Sequence, residues 1–411
     1  MSTTLSTVDA IFKRNYNEGS DVLIKQQNLS APQWGKWKKS SLKPSGQGIW
    51  NPVIMEGNEN GGAINENEGF QQPGSLVPVQ PTITARRVVW PFQITGSVIR
   101  QSETDATAFV RGLDAQQKDN LSRMYADLNR QSWGTGTGQI SLANGAGSAT
   151  YTLVVDNPYP FRQGMLIDAF VTLGGAKQIN GAKIANIDIT TSTLTLVTSG
   201  YPGTTAGPYT WSDNAIICKH NVCDGVTSVA DAKELTGWQA ICDTTTYSTS
   251  FENIPVSTYG QWQGNVISAA GAPVSQDLLQ RTFNRCAIVG GSTPTKLVSN
   301  YGQARNFLNS ELVKTRYEGG EVDAGNVVLK WGTMEWMIDW TYPIGELGMM
   351  NEDGIQKFQT SDVKLSDLPG QTLYQVVGKD AIAGYYIYEG NLGAWKRNNQ
   401  ARLIDLSEPS F

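Results

Sequence analysis

One histidine, His220, occurs in 411 residues, so any Ser-His-Asp or Cys-His system would have to use it. It lies in Cys218-Lys-His-Asn-Val-Cys223. Two thiols and an imidazole so close together are zinc donors, with Cys242 as a more distant fourth. The Cys-x4-Cys spacing is loose for a zinc knuckle. Cys218, His220 and Cys223 are therefore weak metal candidates, and the reading adopted is reduced structural cysteines with no metal and no cofactor. The acid pairs Glu66/Glu68 and Asp362/Asp367 have the residue types of a glycosidase, but both fall in loop-like sequence with no aromatic platform, so they read as solvated surface. Gly134-Thr-Gly-Thr-Gly138 follows a helix and is not followed by Lys-Ser/Thr, which argues against a phosphate loop. No catalytic residue is assigned, and the chain reads as a non-enzyme.

What remains is the chemistry of binding. Residues 31–50 interleave Trp34, Trp37 and Trp50 with Lys36, Lys38, Lys39 and Lys43, a pattern able to hold nucleic acid. A net charge of −5 and a pI near 5.2 argue against that. The expectation is instead a surface strand whose tryptophans are covered by a neighbouring chain. Between Lys43 and Arg86 there is no Lys or Arg, while Glu56, Glu59, Glu66 and Glu68 stand among Gly57, Gly61, Gly62 and Gly69. The flanks, Trp50–Met55 and Ser75–Thr84, have strand character broken by Pro, which suits a ribbon with free edges. An isolated hairpin is marginal in water, so this one is expected to lie on another subunit. The assembly candidates are these four glutamates, Trp34, Trp37, Lys36, Lys38, Lys39, Arg86 and Arg87.

The elements that must position these residues can be read in outline. Charged residues make up only 17% and there are 43 glycines, as expected where partners cover much of the surface. Four cysteines are too sparse for a disulfide scaffold. The N-terminal residues lack an apolar signal core, and no apolar run is long enough for a membrane span. Val8, Ile11, Phe12 and Tyr16 make a short amphipathic stretch, too little for a core. Arg86–Thr95 reads as a strand. Ser102-Glu-Thr-Asp105 is a helix start, and Phe109, Val110, Leu113, Leu121, Met124, Tyr125, Leu128 and Trp133 keep helical spacing, giving ~45 Å of helix over 103–133. Residues 150–217 hold strand-like runs about ten apart, as in a small barrel. Further on, 275–285 reads as a helix, Cys286–Val289 as a buried strand, 300–317 as a second helix and Trp331–Trp340 as a strand. Short strands in the tail can return to the sheet beside the long helix.

The order of segments, together with Thr84-Ala-Arg-Arg-Val-Val-Trp-Pro-Phe-Gln-Ile-Thr-Gly-Ser-Val-Ile-Arg100, Ala108-Phe-Val110 and Asp127-Leu-Asn-Arg-Gln-Ser-Trp-Gly-Thr-Gly-Thr-Gly138, resembles the major capsid protein of tailed bacteriophages, the Hong Kong ninety-seven capsid fold. The resemblance implies an α+β chain with an N-arm (1–48), an extended E-loop (49–94) and a peripheral domain (95–149) carrying a spine helix (102–133). It further implies an inserted β-barrel-like module (150–222), an axial domain (223–345) and a return to the peripheral domain (346–411). It implies hexamers and pentamers of this chain in an icosahedral shell around double-stranded DNA, with no sequence-specific binding of that DNA and no membrane. Scaffolding, portal and decoration proteins would be the partners, and the chain would assemble in the host cytoplasm and reside in the virion. The Lys–Asn crosslink of some members cannot be mapped, because the E-loop segment has no lysine. Two alternatives stand beside this reading: an encapsulin-like compartment of the same fold, and a secreted β-rich adhesin or carbohydrate-binding protein.

Overall fold

A computed structural model of the chain describes residues 29–41, 49–50, 52–97, 106–197, 207–228, 231–315, 329–367, 370 and 372–408. The amphipathic stretch at 8–16, Lys43 and the helix start at 102–105 lie outside the described residues. The chain divides into two compact units: residues up to 36 with 86–235 and 359–390, and 37–85 with 236–358 and 391–411.

In the first unit, Arg86–Thr95 pairs antiparallel with Ala381–Ala394, from Arg86↔Gly390 to Thr95↔Ala381. Its Val88, Phe92 and Ile94 are buried at alternate positions, the period-two signature of a sheet with one face covered. The strand stops at Gly96, whose N–H donates to Asp380 O at 2.7 Å. A Cβ on Gly96 would sit 2.0 Å from Asp380 Oδ1, so a larger residue at the close of Ile-Thr-Gly would have to displace that carboxyl. The helix Ala106–Trp133 has 28 residues, about 42 Å at 1.5 Å per residue.

After the helix, six strands form one antiparallel sheet. In spatial order they are Gln139–Leu142, Ile216–Lys219, Leu166–Phe170, Lys177–Asp188, Thr193–Val197 and Thr152–Val154. A bridge between Ala143 and Val155 joins the two edge strands. Asn144 N–H donates to Val154 O at 2.9 Å and Asp156 N–H to Leu142 O at 3.0 Å. The sheet thus closes on itself and leaves no free edge. Leu153, Ile167, Ile179, Ile184, Leu194 and Ile217 are among the side chains that fill its apolar core.

In the second unit a six-stranded mixed sheet runs Asn265–Ser268, Ala401–Ile404, Leu347–Met350, Lys296–Ser299, Met334–Ile338 and Lys330–Trp331. Its core includes Leu279, Leu297, Phe307, Trp336, Met349 and Leu403. Two expectations need correction here. Cys286–Val289 is not a strand: the helix Gln276–Gly290 runs through it. Ser275 Oγ accepts from Leu278 N–H at the start, and Gly291, at φ 66°, ends it. A four-residue apolar run cannot by itself separate strand from helix. Only one side of it meets the core: Cys286 is buried, while Ile288 is 80% exposed. Nor does the whole of 346–411 return to the long helix. Residues 359–390 cluster with it, but Ala401–Ile404 lies between Asn265–Ser268 and Leu347–Met350.

Candidate functional site

The ribbon is built from two short antiparallel pairs. Ile49–Trp50 with Thr82–Ile83 makes its root, and Val53–Glu56 with Val77–Val79 its stem. Pro78 sits opposite Ile54, where a two-stranded edge tolerates the missing donor. Every residue from 56 to 73 is exposed. Side chains brace this loop from within. Asn58 Oδ1 accepts from the N–H groups of Asn60 (3.1 Å) and Gly74 (2.8 Å), and Asn60 Nδ2 donates to Gln72 O at 3.1 Å. Glu68 closes a turn: its two oxygens accept from the N–H and Nδ2 of Asn65 at 2.9 and 3.1 Å. The bonds from the Asn65 backbone and side chain hold its carboxyl below the usual range. Glu56, Glu59 and Glu66 are exposed with it. Phe70 is 94% exposed, Ile54 61% and Leu76 59%, an apolar accompaniment to the acidic tip that the sequence reading did not single out.

The tryptophan–lysine segment is not the surface strand expected. Residues 32–36 form a turn, and Trp34 and Trp37 are buried within the chain itself. Asn129 Oδ1 accepts from the N–H groups of Gln33 (3.1 Å) and Trp34 (3.0 Å), and the Trp34 ring meets Tyr388 edge-on at 5.1 Å. Gln33 and Trp34 therefore fold onto their own unit, and neither tryptophan is left exposed for a neighbouring copy to cover. The lysines stay at the surface: Lys36, Lys38 and Lys39 are exposed, and Lys38 forms an ion pair with Asp353. Arg87 faces Glu389 across the strand pair at 3.5 Å, and Arg86 is half-buried.

The end of the long helix explains the most distinctive stretch of the sequence. From Met124 to Trp133 all but Tyr125 is buried, although Asp127, Asn129, Arg130, Gln131 and Ser132 are polar. Such groups must find partners inside the protein, and they do. The Arg130 guanidinium grips Glu234 with two nitrogens, Nη1 at 3.1 Å from Oε2 and Nη2 on Oε1, and its Nε reaches Asp127 at 3.2 Å. Gln131 donates to Asp127 at 2.9 Å and accepts from Leu235 N–H at 3.3 Å. Burial alone would raise the Asp127 carboxyl. The positive field of Lys219, Arg130 and Arg162 overcomes it and holds the group ionised far below the usual range. The Lys219 ammonium, 3.4 Å from Asp127, also lies over the Trp90 ring at 3.7 Å. The sequence reading passed over Glu234, which has no local pattern to mark it.

His220 is engaged by a carboxylate, not a thiol. Its Nδ1 lies 2.7 Å from Asp168 Oδ1, and fully buried Asp168 also accepts from the N–H groups of Gly181 (2.7 Å) and Asn221 (2.8 Å) and from Lys177 at 3.0 Å. Cys223 Sγ donates to Thr137 O at 3.5 Å. All four cysteines are buried and unpaired in disulfides. Burial pushes the Cys242 and Cys286 thiols up, and contact with Cys223 together with burial does the same for Cys218. Such thiols are poor nucleophiles and poor metal ligands. Among the described residues no group of three or more His, Cys, Asp or Glu side chains is placed to hold a metal ion, and no helix is long and apolar enough to cross a membrane.

No family model and no curated protein sequence matches this chain. Solved structures do. A chain of the cyanophage A-1(L) capsid asymmetric unit aligns with a TM-score of 0.58 at 9% identity, covering 96% of this chain and 98% of that one. A chain of the empty GTA particle capsid aligns at 0.48 and 7%, covering 98% of each. A chain of the holo-SrpI encapsulin complex from Synechococcus elongatus PCC 7942 aligns at 0.42 and 8%, covering 99% and 96%. At such identities the likeness is one of fold, and the first alignment carries it.

Proposed function

We propose that this chain, which has the phage capsid fold expected of a tailed-phage major capsid protein, assembles in many copies into an icosahedral shell enclosing double-stranded DNA. The observation that carries the proposal is the ribbon. Its loop from 56 to 73 is exposed throughout and presents Phe70 to solvent, although burying a Phe side chain is worth about 2 kcal/mol. A neighbouring copy is the natural cover. Contacts of that size are weak singly, but repetition around every subunit gives avidity.

In this reading residues 1–48 are the N-arm, 49–94 the E-loop, 102–133 the spine helix and 150–222 a module inserted in the fold. The surface lysines 36, 38 and 39 are candidates to receive the acidic tip of another copy. Scaffolding, portal and decoration proteins would join during and after assembly in the host cytoplasm. The chain acts by binding geometry, so no residue is assigned a catalytic role.

Deleting 57–69 tests this directly. The variant should keep the circular dichroism and unfolding midpoint of the full chain yet sediment only as free subunits when mixed with its scaffold. Particles of normal size from the deleted chain would overturn the assignment.

A further inference from the structure

Strands Ser250–Phe251 and Ile254–Pro255 are joined by Glu252 and Asn253, both at positive φ (51° and 65°). A two-residue hairpin turn of this hand ordinarily takes Asn or Gly, and glutamate is a costly choice there, so what its side chain reaches matters. The Glu252 carbonyl accepts from Thr82 N–H at 2.7 Å, in the strand pair that closes the ribbon's root. Its Oε1 accepts from Ala394 N–H at 3.0 Å. Glu252 as a residue is only half-buried, but its Oε2 is shut off from solvent and has no hydrogen-bond partner among the described residues, and Thr82 Oγ1 is in the same position.

The junction is tight. A Cβ on Gly393 would lie 2.2 Å from Ile83, and Ile83 packs with Phe358 and Trp395. Asn391 Nδ2 adds a bond to Thr84 O at 2.9 Å. The charged group facing the carboxyl is Arg397. Its guanidinium is occupied by the carbonyls of Ile241 (2.6 Å), Trp262 (3.1 Å) and Ala240 (3.4 Å) and lies over the Phe251 ring at 4.3 Å. It makes no ion pair with Glu252 among the described residues. Neither 77–85 of the ribbon nor 390–394 of the facing strand contains a titratable side chain.

We propose that Glu252 is a proton-controlled fastening for the root of the ribbon. With the carboxyl neutral, the 82–83 strand stays held to the 250–255 hairpin. With the carboxyl ionised, an uncompensated charge inside the junction loosens that hold. Burial pushes the group up to about 8, against the pull of the Ala394 N–H and the Arg397 charge. A folded value above the unfolded one, about 4.3, means that the stabilisation is complete below about pH 4 and lost as pH rises through about 8. The setting of the ribbon would therefore respond to alkali in the free subunit, before any shell exists.

Hydrogen exchange at the Thr82 amide of the isolated chain, corrected for the intrinsic pH dependence, reads this event. Between about pH 6 and about pH 9.5 protection should fall by roughly tenfold or more, since each pH unit between the unfolded and the folded value costs about a factor of ten and the loss levels off above about 8. Glu252→Gln keeps an acceptor for Ala394 and cannot ionise, so its protection should stay flat. A parallel loss in the Gln variant, or a flat wild-type profile, overturns the proposal. Should the variant fail to fold, infrared spectroscopy of the wild type decides. The carbonyl band of a protonated carboxyl should be present in the folded chain at about pH 7 and gone by about pH 10, and its absence at pH 7 would refute the idea. Both readouts use unassembled protein, so a negative result here leaves the shell reading standing, and the reverse also holds.

Discussion

The end of the long helix and the loop of the ribbon draw on the same side chains, asparagine, glutamine and acid, and use them in opposite ways. At 124–133 the polar groups are enclosed, and besides the local bonds to Asp127 several tie together segments distant in sequence: Asn129 to Gln33 and Trp34, Arg130 to Glu234, Gln131 to Leu235. At 56–73 the polar groups bond, among the described residues, within the loop and to its close at Gly74, as Glu68 does to Asn65 and Asn60 to Gln72, and the apolar Phe70 faces water. One region spends its polarity on internal order. The other keeps a fixed local shape and leaves its outward surface uncommitted, which is what a docking element requires. Substitutions in the first region should therefore act on folding and those in the second on association.

The largest effect on folding is expected from Arg130→Ala. It would leave Glu234 and Asp127 buried with one fewer cation, and breaking a buried pair from one side costs about 3–5 kcal/mol. Urea denaturation of the free subunit should show a shifted midpoint with an unchanged slope. A shift below about 1 kcal/mol would mean that water enters this end of the helix, and the contrast with the ribbon would collapse. Asn129→Ala should cost less, about 2 kcal/mol, because it strands two neutral N–H groups at Gln33 and Trp34 where the first substitution strands charge. The loss should be accompanied by faster exchange at those two amides and not across the helix as a whole.

Acid should discriminate the regions next. Asp127 is held below its ordinary value, so its contribution is complete above about pH 4 and disappears as pH falls through the acid range. Stability of the wild type should decline there, and Asp127→Asn, weaker at neutral pH, should decline less steeply. Glu68, bonded to Asn65 at the surface and held low only by that exposed contact, should make Glu68→Gln change the acid limb far less than Asp127→Asn does. A Glu68 variant that flattened the acid limb would show that the ribbon is part of the folding core.

How much of this was legible follows the same line. The ribbon showed in the sequence because its features are local: an absence of Lys and Arg over four tens of residues, acids among glycines, prolines on the flanks. The long helix showed through its period. Trp34 was misjudged because its partners, Tyr388 and Asn129, lie far along the chain, and no spacing rule reaches them. Glu234 was invisible for that reason too, and so was Glu252, whose partners Ala394 and Thr82 are equally distant in sequence. Cys286–Val289 failed differently. An apolar run of four carries no period, and only the cap at Ser275 and the stop at Gly291 decide that the helix continues through it.

The smallest expected effect on folding is the most informative about function. Phe70 is 94% exposed and its loop is braced by Asn58, Asn60 and Glu68 without it. Phe70→Ala should therefore change subunit stability by no more than about 0.5 kcal/mol. If the ring is covered in a shell, each subunit contact loses about 2 kcal/mol, and the loss recurs at every copy. Assembly should then need a markedly higher subunit concentration, read by sedimentation or light scattering with wild-type scaffold. Equal assembly thresholds would remove Phe70 from the interface and leave the acidic side chains alone to account for docking. Raising the salt separates the two contributions: charge pairing at the tip is screened over about 8 Å at physiological ionic strength, whereas burial of an aromatic ring is not. A threshold that rises with salt in Phe70→Ala more steeply than in wild type would show that the ring and the glutamates share one contact.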